Sequence, residues 1–456
     1  MQQEMRSDIV VIGAGITGLT MAAALQRGGR PVTVLESSAR AGGAVRTEQA
    51  EGFLMEEGPG SLMTNEPDVV RFLGEAGLGA DIVRPVAQKR FLVRGGRALA
   101  LPSGPVGAVT TPLFSLRGKL RVLREPFVPR GTADDESLAD LVRRRLGAEM
   151  LAYAVEPFVA GIFAGNPEKL SARHAFPKLW NLERTHGSFI RGAIRLRRTG
   201  PPREMMSFRE GMGMLPARLA GILGDNLRLG TSVEEIARVP GTGWRVVWRE
   251  DGTRREAVAS ALVSAVPAFA VPGLPWQPDI RDFLGVLRGI EYPPVTVVAL
   301  GFRRTDIAHP LDGFGMLVPA VERRGILGTI FSSSLFPGRA PEGHVLLTTF
   351  VGGARQPRMA ALGDDALVED VCSDLRDLLG ARGEPVLRRI YRWPRAIPQY
   401  DAGYGEILSA LESLEARMPG LHFAGNYRGG IAAGQCIHNG LLLAAQLAGS
   451  VPPSKS

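Results

Sequence analysis

Three glycines constrain this chain more than any other feature. Gly13, Gly15 and Gly18 fall on the spacing G-x-G-x-x-G, directly after the apolar run Ile9-Val10-Val11-Ile12. Such a short, unbroken apolar run suits a parallel strand buried on both faces. The first glycine permits a tight turn, the second lets backbone approach a pyrophosphate, and the third lets the next helix pack against the strand. That helix is expected from Gly18 to Arg27, with Gly28-Gly29 ending it. Its N-terminal N–H groups, with Ala14, Ile16 and Thr17 alongside, aim at the phosphates. Val32 to Leu35 reads as the second strand. Glu36 stands at its carboxyl end, eighteen residues after Gly18 and followed by Ser37, where a carboxylate accepts hydrogen bonds from ribose hydroxyls.

A second loop chooses between dinucleotides. Arg40-x-Gly42-Gly43, followed by Ala44, resembles the R-x-G-G segment of glutathione-reductase-like and amine-oxidase-like flavoproteins. There the glycines pass under the pyrophosphate and the arginine supports it. A plain NAD dehydrogenase has no need of this loop, so the expected cofactor is non-covalent FAD. Near the other end, Gly425-Asn426 and then Gly429-Gly430, Ile431 and Ala432 lead from a short strand into a small-residue helix. In a flavoprotein this layout brings backbone against the ribityl and pyrophosphate groups. It also points a helix N-terminus at the pyrimidine end of the ring, favouring the anionic reduced flavin.

With 456 residues the chain is expected to form two or three domains. Cys372 and Cys436 are its only cysteines, and its six histidines are scattered, so neither a disulfide framework nor a metal site is expected. The first strand begins within a few residues of Met1, leaving no room for a targeting peptide. No run reaches the ~20 apolar residues of a membrane-spanning helix. The net charge of +8 is unevenly placed: Val106 to Gly200 holds sixteen Lys and Arg against nine Asp and Glu. No nucleic-acid-binding motif accompanies it, so anionic lipid or an anionic substrate fits better. Within that segment Leu113, Leu116, Leu120 and Leu123 recur at helical spacing, with Arg117, Lys119, Arg121 and Arg124 between them. Two readings stay open. One is a basic amphipathic helix lying on a membrane, the other an ordinary surface helix with its apolar stripe on the core.

Along the chain, Arg90 to Pro102 reads as strand–turn–strand, Pro105 to Gly200 as mainly helical, and Leu227 to Leu262 as a small β-meander. Val295–Phe302, Ile326–Phe331 and Val345–Phe350 read as strands of another sheet. Glu369–Leu379 reads as a helix, Leu421–Gly425 as a last short strand and Gly430–Ala448 as the closing helix.

Several ordered segments then resemble the oxygen-dependent protoporphyrinogen oxidases over essentially the whole length. They are K-R-F-L-V with Arg90, A-L-P-S-G at Ala100, V-A-G-I-F-A-G-N-P-E-K-L-S at Val159 and S-F-R-E-G-M-G-M-L-P at Ser207. G-F-G-M-L-V-P at Gly313, L-G-T-I-F-S-S-S-L-F-P at Leu327, T-T-F-V-G-G at Thr348 and R-W-P-R-A-I-P-Q-Y at Arg392 follow. The match is closer to the plant and myxobacterial type than to the Gram-positive type. The resemblance implies that Arg90 pairs with a substrate propionate, that Leu317 and Ile330 sandwich one pyrrole ring, and that Phe350 stacks beneath another. It implies that Phe314 lines the same pocket and that the Gly161 carbonyl faces the macrocycle. It places the Val233 amide at the adenine, and Trp393 with Gly58, Pro59, Gly60 and Ser61 at the flavin. Three places depart from the family. Gly60 stands where the family has asparagine in G-P-N-S, Tyr404 where it has histidine in Q-Y-x-x-G-H, and Gly434-Gln435 where it has N-D before Cys436-Ile437.

The fold expected is α/β. It has a Rossmann-like FAD-binding domain of the glutathione-reductase/p-hydroxybenzoate-hydroxylase-like type (1–85, 207–275 and 419–450). A mixed-sheet substrate domain (86–105 and 276–418) is inserted in it, with a helical, basic, membrane-associated domain (106–206). The activity implied is oxidation of protoporphyrinogen IX to protoporphyrin IX in three two-electron steps, with hydride taken by flavin N5 and molecular oxygen as acceptor. No side chain is assigned as acid or base. Oxidation of coproporphyrinogen III and a non-catalytic flavin-binding protein remain alternatives. An amine oxidase with a lysine near the flavin is disfavoured, because no lysine lies between Lys178 and Lys455. The resemblance further implies a peripheral position on the inner face of the cell membrane, a homodimer, and no nucleic-acid partner.

Overall fold

Ile9–Ile12 is a strand with all four residues buried, and the helix Ile16–Arg27 follows it. The helix starts two residues before the expected Gly18, because the extended Gly15 already serves as its N-cap. The structure, a computed structural model, describes residues 4–102, 104–196 and 203–449. Ile9–Ile12 is central in a five-stranded sheet ordered Leu227–Arg228, Val32–Leu35, Ile9–Ile12, Ala261–Ser264 and Leu421–Phe423, every pair parallel. The unbroken apolar run has a structural cause. Ile9 and Val11 pack into one core with Leu19, Met21 and Ile437, while Val10 and Ile12 pack into another with Trp244, Leu262 and Tyr427. Alternation in a strand covered on both faces leaves no solvent-facing position.

The last helix, Ala433–Leu447, lies on Ile16–Arg27. A Cβ on Gly440 would stand 2.8 Å from the Thr17 carbonyl oxygen, so the helices approach here at glycine distance. His438 Nδ1 lies 2.7 Å from Asp68 Oδ2 and ties this helix to Pro67–Glu75.

A seven-stranded mixed sheet forms the second layer. Its order is Leu387–Trp393, Val295–Arg303, His344–Gly352, Ile326–Phe331, Gly313–Leu317, Lys89–Arg94 and Arg97–Ala100. Only Gly313–Leu317 and Lys89–Arg94 pair in parallel. The strand–turn–strand at Arg90 and the three expected apolar strands all lie in this sheet. The meander is Ser232–Val239, Gly243–Glu250 and Thr253–Ala259, with Glu4–Arg6 added in parallel at its edge. Asp364–Leu379 is the amphipathic helix; it starts five residues earlier than expected, with Asp364 and Asp365 in its first turn.

Residues 104–196 are mainly helical. A buried ionic cluster holds this part together: Arg145 bonds Glu125 at 3.1 Å and Glu183 at 2.7 Å, all three inaccessible or nearly so. The apolar stripe divides in two. Leu113 is buried and precedes the helix Leu116–Leu123, whereas Leu116, Leu120 and Leu123 are 74%, 51% and 67% exposed. The stripe therefore does not face the core. Among the described residues no helix is long and apolar enough to cross a membrane.

Candidate functional site

The site begins where the parallel strands end. The Gly13 amide donates to the Leu35 carbonyl at 2.8 Å, and Gly13 has φ of 107°, which makes the turn a glycine position. A Cβ on Gly18 would fall 2.3 Å from the Gly13 carbonyl oxygen, so only glycine allows the helix this close. A Cβ on Gly15 would meet nothing within 4 Å: the space above that residue is open. The Arg40–Gly43 loop closes beside it, with the Gly42 amide donating to the Ala14 carbonyl at 2.8 Å and Gly42 bridged to Gly15. Glu36 braces the loop, accepting from the Ala14 amide at 2.7 Å, the Ser38 amide at 2.9 Å and the Ser37 hydroxyl at 3.4 Å. The Thr231 amide donates to the Glu36 carbonyl at 2.9 Å, which brings the strand carrying Val233 to the same sheet end. Two glycine loops, an open space over Gly15 and a carboxylate at the second strand fit a dinucleotide with its pyrophosphate between the loops.

The Gly58–Ser61 segment lies directly against this nucleotide cradle. A Cβ on Gly58 would stand 2.2 Å from the Ala44 carbonyl oxygen. Glu57 is flanked by Arg40 at 3.6 Å and Arg46 at 3.7 Å. Trp393 donates its indole N–H to the Glu57 carbonyl at 2.7 Å, and the Arg46 guanidinium lies 5.2 Å from its ring centroid. Arg46 Nε also donates to the Gly43 carbonyl at 2.8 Å. Arg46 is not among the site residues expected from sequence, although it follows the Arg40–Ala44 loop closely; linear spacing does not show that it and Arg40 converge on Glu57. Burial and the nearby Arg40 charge lower the Arg46 pKa, and Glu57 opposes them.

On the far side, Gly425, Asn426, Ile431 and Ala432 form the loop between the last strand and the last helix. The Ala424 amide bonds the Ser264 carbonyl at 2.9 Å, so this loop leaves the same carboxyl edge of the sheet. Two family departures have a local cause here. A Cβ on Gly434 would lie 2.3 Å from the Met63 carbonyl oxygen, so the helix start fits against Leu62–Thr64 only as glycine. Gln435 accepts from the Ala432 amide at 3.2 Å and caps the helix.

A narrow cleft joins the nucleotide side to the mixed sheet. Gly58, Gly60 and Ser61 line it together with Ile330 and Phe350. The strand register brings the last two together. Ile330 pairs with Gly315 and Thr348, Phe350 pairs with Gly328, and Arg90 pairs with Gly315 one strand further out. Arg90 lies over the Phe314 ring at 5.3 Å to the centroid and makes no ion pair among the described residues. Neighbouring Lys89 is already paired with Asp312. A Cβ on Gly161 would be 2.7 Å from Leu317 Cδ2, so the helix Glu156–Phe163 packs on the sheet at this glycine. The expected residues thus form three groups, Gly60 with Ile330 and Phe350, Arg90 with Phe314, and Gly161 with Leu317, of which the first lines the cleft.

Glu56 and Arg339 also line the cleft, and neither is among the residues expected from sequence. Burial pushes the Glu56 carboxyl up to about 7, against bonds from the Thr47 hydroxyl at 2.6 Å and the Met212 amide at 2.9 Å and the nearby Arg339 charge. Arg339 is buried and donates to the Arg209 and Phe208 carbonyls and the Ser207 hydroxyl. A Cβ on Gly60 would approach only the Glu56 side chain, at 3.6 Å, so Gly60 widens the cleft beside that carboxyl.

Residues 16–448 match the family model for flavin containing amine oxidoreductases. Protoporphyrinogen oxidase 2 of Arabidopsis thaliana, chloroplastic/mitochondrial, is 34% identical over 95% of this chain and 92% of its own length. The coproporphyrinogen III oxidase of Bacillus subtilis is 27% identical over 95% of this chain and 96% of its own. A crystal structure ascribed to a protoporphyrinogen oxidase from Exiguobacterium sp. 255-15 superposes with a TM-score of 0.81 and 25% identity, covering 98% of this chain and 99% of that one. Glycine cradle, cleft and relatives agree: the chain belongs to the flavin containing amine oxidoreductases, with FAD as cofactor, and among them to the protoporphyrinogen oxidases.

Proposed function

We propose that the chain oxidises protoporphyrinogen IX to protoporphyrin IX in three two-electron steps with oxygen as the final acceptor. The observation that carries this reading is the cleft, whose lining brings Gly58, Gly60 and Ser61, beside the nucleotide cradle, together with Ile330 and Phe350. Bound FAD would supply the hydride acceptor and the link to oxygen. The chain's own residues hold and orient the ring. Leu317 and Ile330 offer aliphatic contact to one pyrrole and Phe350 an aromatic face to another, while the Gly161 carbonyl faces the macrocycle. Arg90 pairs with a propionate, a charge-assisted contact of about 1.5–3 kcal/mol. Tight enclosure excludes water and fixes the reacting carbon, which supplies most of what the reaction needs from protein.

Coproporphyrinogen III, with four propionates, is the second reading, and its support is the 27% identical Bacillus relative. The test is rapid mixing of the holoprotein with each porphyrinogen under air, following porphyrin fluorescence. Protoporphyrinogen should be oxidised faster, and Arg90→Ala should raise KM about tenfold with FAD content unchanged. Porphyrin formation no faster than the spontaneous rate would sink the oxidase reading.

The helical part is read as a peripheral membrane contact on the cytoplasmic face. Leu116, Leu120, Leu123 and the 81%-exposed Phe127 support it, with the exposed Arg117 and Arg124 beside them. The protein should float with anionic liposomes, and Leu116→Asp/Leu120→Asp should stay in the aqueous fraction with its flavin intact. Flotation of both alike would remove this assignment.

A further inference from the structure

Tyr400 and Tyr404 are both buried and stack on each other, with ring centroids 4.4 Å apart and planes 22° from parallel. Their hydroxyls leave the stack toward one segment. Tyr400 donates to the Asn426 carbonyl at 2.5 Å and accepts from the Gly430 amide at 3.2 Å. Tyr404 donates to the Tyr427 carbonyl at 2.5 Å. Three backbone groups of the loop between the last strand and the last helix are thus held by two side chains from outside it. That loop contains Gly425 at φ 141°, Gly429 at 74° and Gly430 at 127°, so its own backbone is permissive and its shape must be imposed.

The stack is anchored on its other side to the helical part. The Tyr400 carbonyl accepts from the Ser171 amide at 2.8 Å, and the Phe163 ring meets Tyr400 edge-on at 6.0 Å. Gln399 donates to the Phe163 carbonyl at 2.9 Å. Phe163 ends the helix that carries Gly161. One short run, Gln399 to Tyr404, therefore touches both the helix that carries Gly161 and the loop at the nucleotide edge of the parallel sheet.

We infer that Tyr400 and Tyr404 are positioning residues for the flavin: the stacked pair fixes the Gly425–Ala432 loop, and with it the start of Ala433–Leu447, against the bound cofactor. The inference rests on the FAD reading of the cradle. It also gives Tyr404, where the family has histidine, a specific role. Its hydroxyl supplies the bond to the Tyr427 carbonyl while its ring completes the stack. A displaced loop would carry the start of the helix, with its partial positive charge, away from the place where the flavin would be held.

The test uses the full chain as apoprotein titrated with FAD and, reconstituted, measured for flavin midpoint potential. Tyr400→Phe, which loses two bonds, should weaken FAD binding about tenfold or more and shift the potential to more negative values. Tyr404→Phe keeps the ring and loses one bond, so it should show the same two changes at smaller size. Tyr404→His should restore part of both if a ring donor suffices. Should Tyr400→Phe fail to fold, Tyr404→Phe decides. Unchanged FAD affinity and potential in a variant that loses only thermal stability would overturn the inference and reduce the pair to core packing, leaving the FAD reading intact. Absence of FAD binding by the wild-type apoprotein would overturn both.

Discussion

Gly18→Ala is expected to lose both stability and flavin, while Gly15→Ala loses flavin alone. The added methyl at Gly18 would sit 2.3 Å from the Gly13 carbonyl oxygen and 3.1 Å from the Ala265 side chain. The first neighbour is backbone, in a turn tied to Leu35, so it cannot rotate away. The helix must retreat from the strand, at a cost of about 1–3 kcal/mol. Its N-terminal amides then no longer reach the pyrophosphate, and FAD affinity should fall about a hundredfold or more, equivalent to roughly 2.7 kcal/mol. Alanine at Gly15 meets no protein atom within 4 Å and should leave apoprotein melting unchanged. Its methyl instead enters the space proposed for the phosphates. Apoprotein melting temperatures and FAD titrations of the two variants separate the effects. Equal, undiminished FAD binding in both would mean that the nucleotide lies elsewhere.

The second large effect belongs to Arg145. Its guanidinium, fully buried, bonds Glu183 through Nε at 2.8 Å, Glu125 at 3.1 Å, and the Val128 and Gly187 carbonyls at 2.9 and 2.7 Å. Arg145→Ala would leave Glu125 without its cation, and breaking a buried pair from one side costs about 3–5 kcal/mol. Among the described residues, Glu125 then retains only the Ser188 hydroxyl and the Phe189 and Ile190 amides. Chemical denaturation should show an early transition, and limited proteolysis should cut first within residues 104–196. The wild-type cluster also has an acid limit. Burial opposes ionisation of Glu183, yet bonds from Arg144, the Gly131 amide and Arg145 hold its pKa at about 2. A depressed carboxyl pKa stabilises the fold above the ordinary carboxylate value and loses that contribution as pH falls toward 2. The helical part should therefore loosen between about pH 4.5 and 2, and Arg145→Ala should shift that loss upward.

What is legible in the sequence is local. Gly13 to Glu36 lies within one strand–helix–strand unit, so spacing alone places the turn, the helix and the acid. Arg40 to Gly43 belongs to the same stretch. The cleft is different in kind. Glu56 comes from a segment far in sequence from Arg339 and Phe350, and nothing in their neighbours' spacing marks the three as lining one space. Glu56 does carry a weak signal, as a carboxylate beside Gly58-Pro59 in an otherwise apolar strand, Phe53–Glu56. Tyr404 stands out in the sequence as a departure from a family pattern, but its stacking on Tyr400 depends on a loop and a helix start that spacing does not describe. For the leucines of the helical part, periodicity cannot choose between core and surface. Leu113 is buried while Leu116, Leu120 and Leu123 are exposed, because the helix begins only after Ser115, its N-cap.

The order of strands in the parallel sheet has a consequence for synthesis. Ile9–Ile12 leaves the ribosome early, yet its neighbour Ala261–Ser264 and the edge strand Leu421–Phe423 come much later, and the helix covering them ends at Leu447. Long-range parallel pairing of this kind is slow, and open strand edges aggregate. A growing chain therefore carries a finished dinucleotide turn with an unfinished wall for most of its translation. Cofactor loading has to await Ala433–Leu447, and chains cut short before that helix should be found without flavin and in the insoluble fraction.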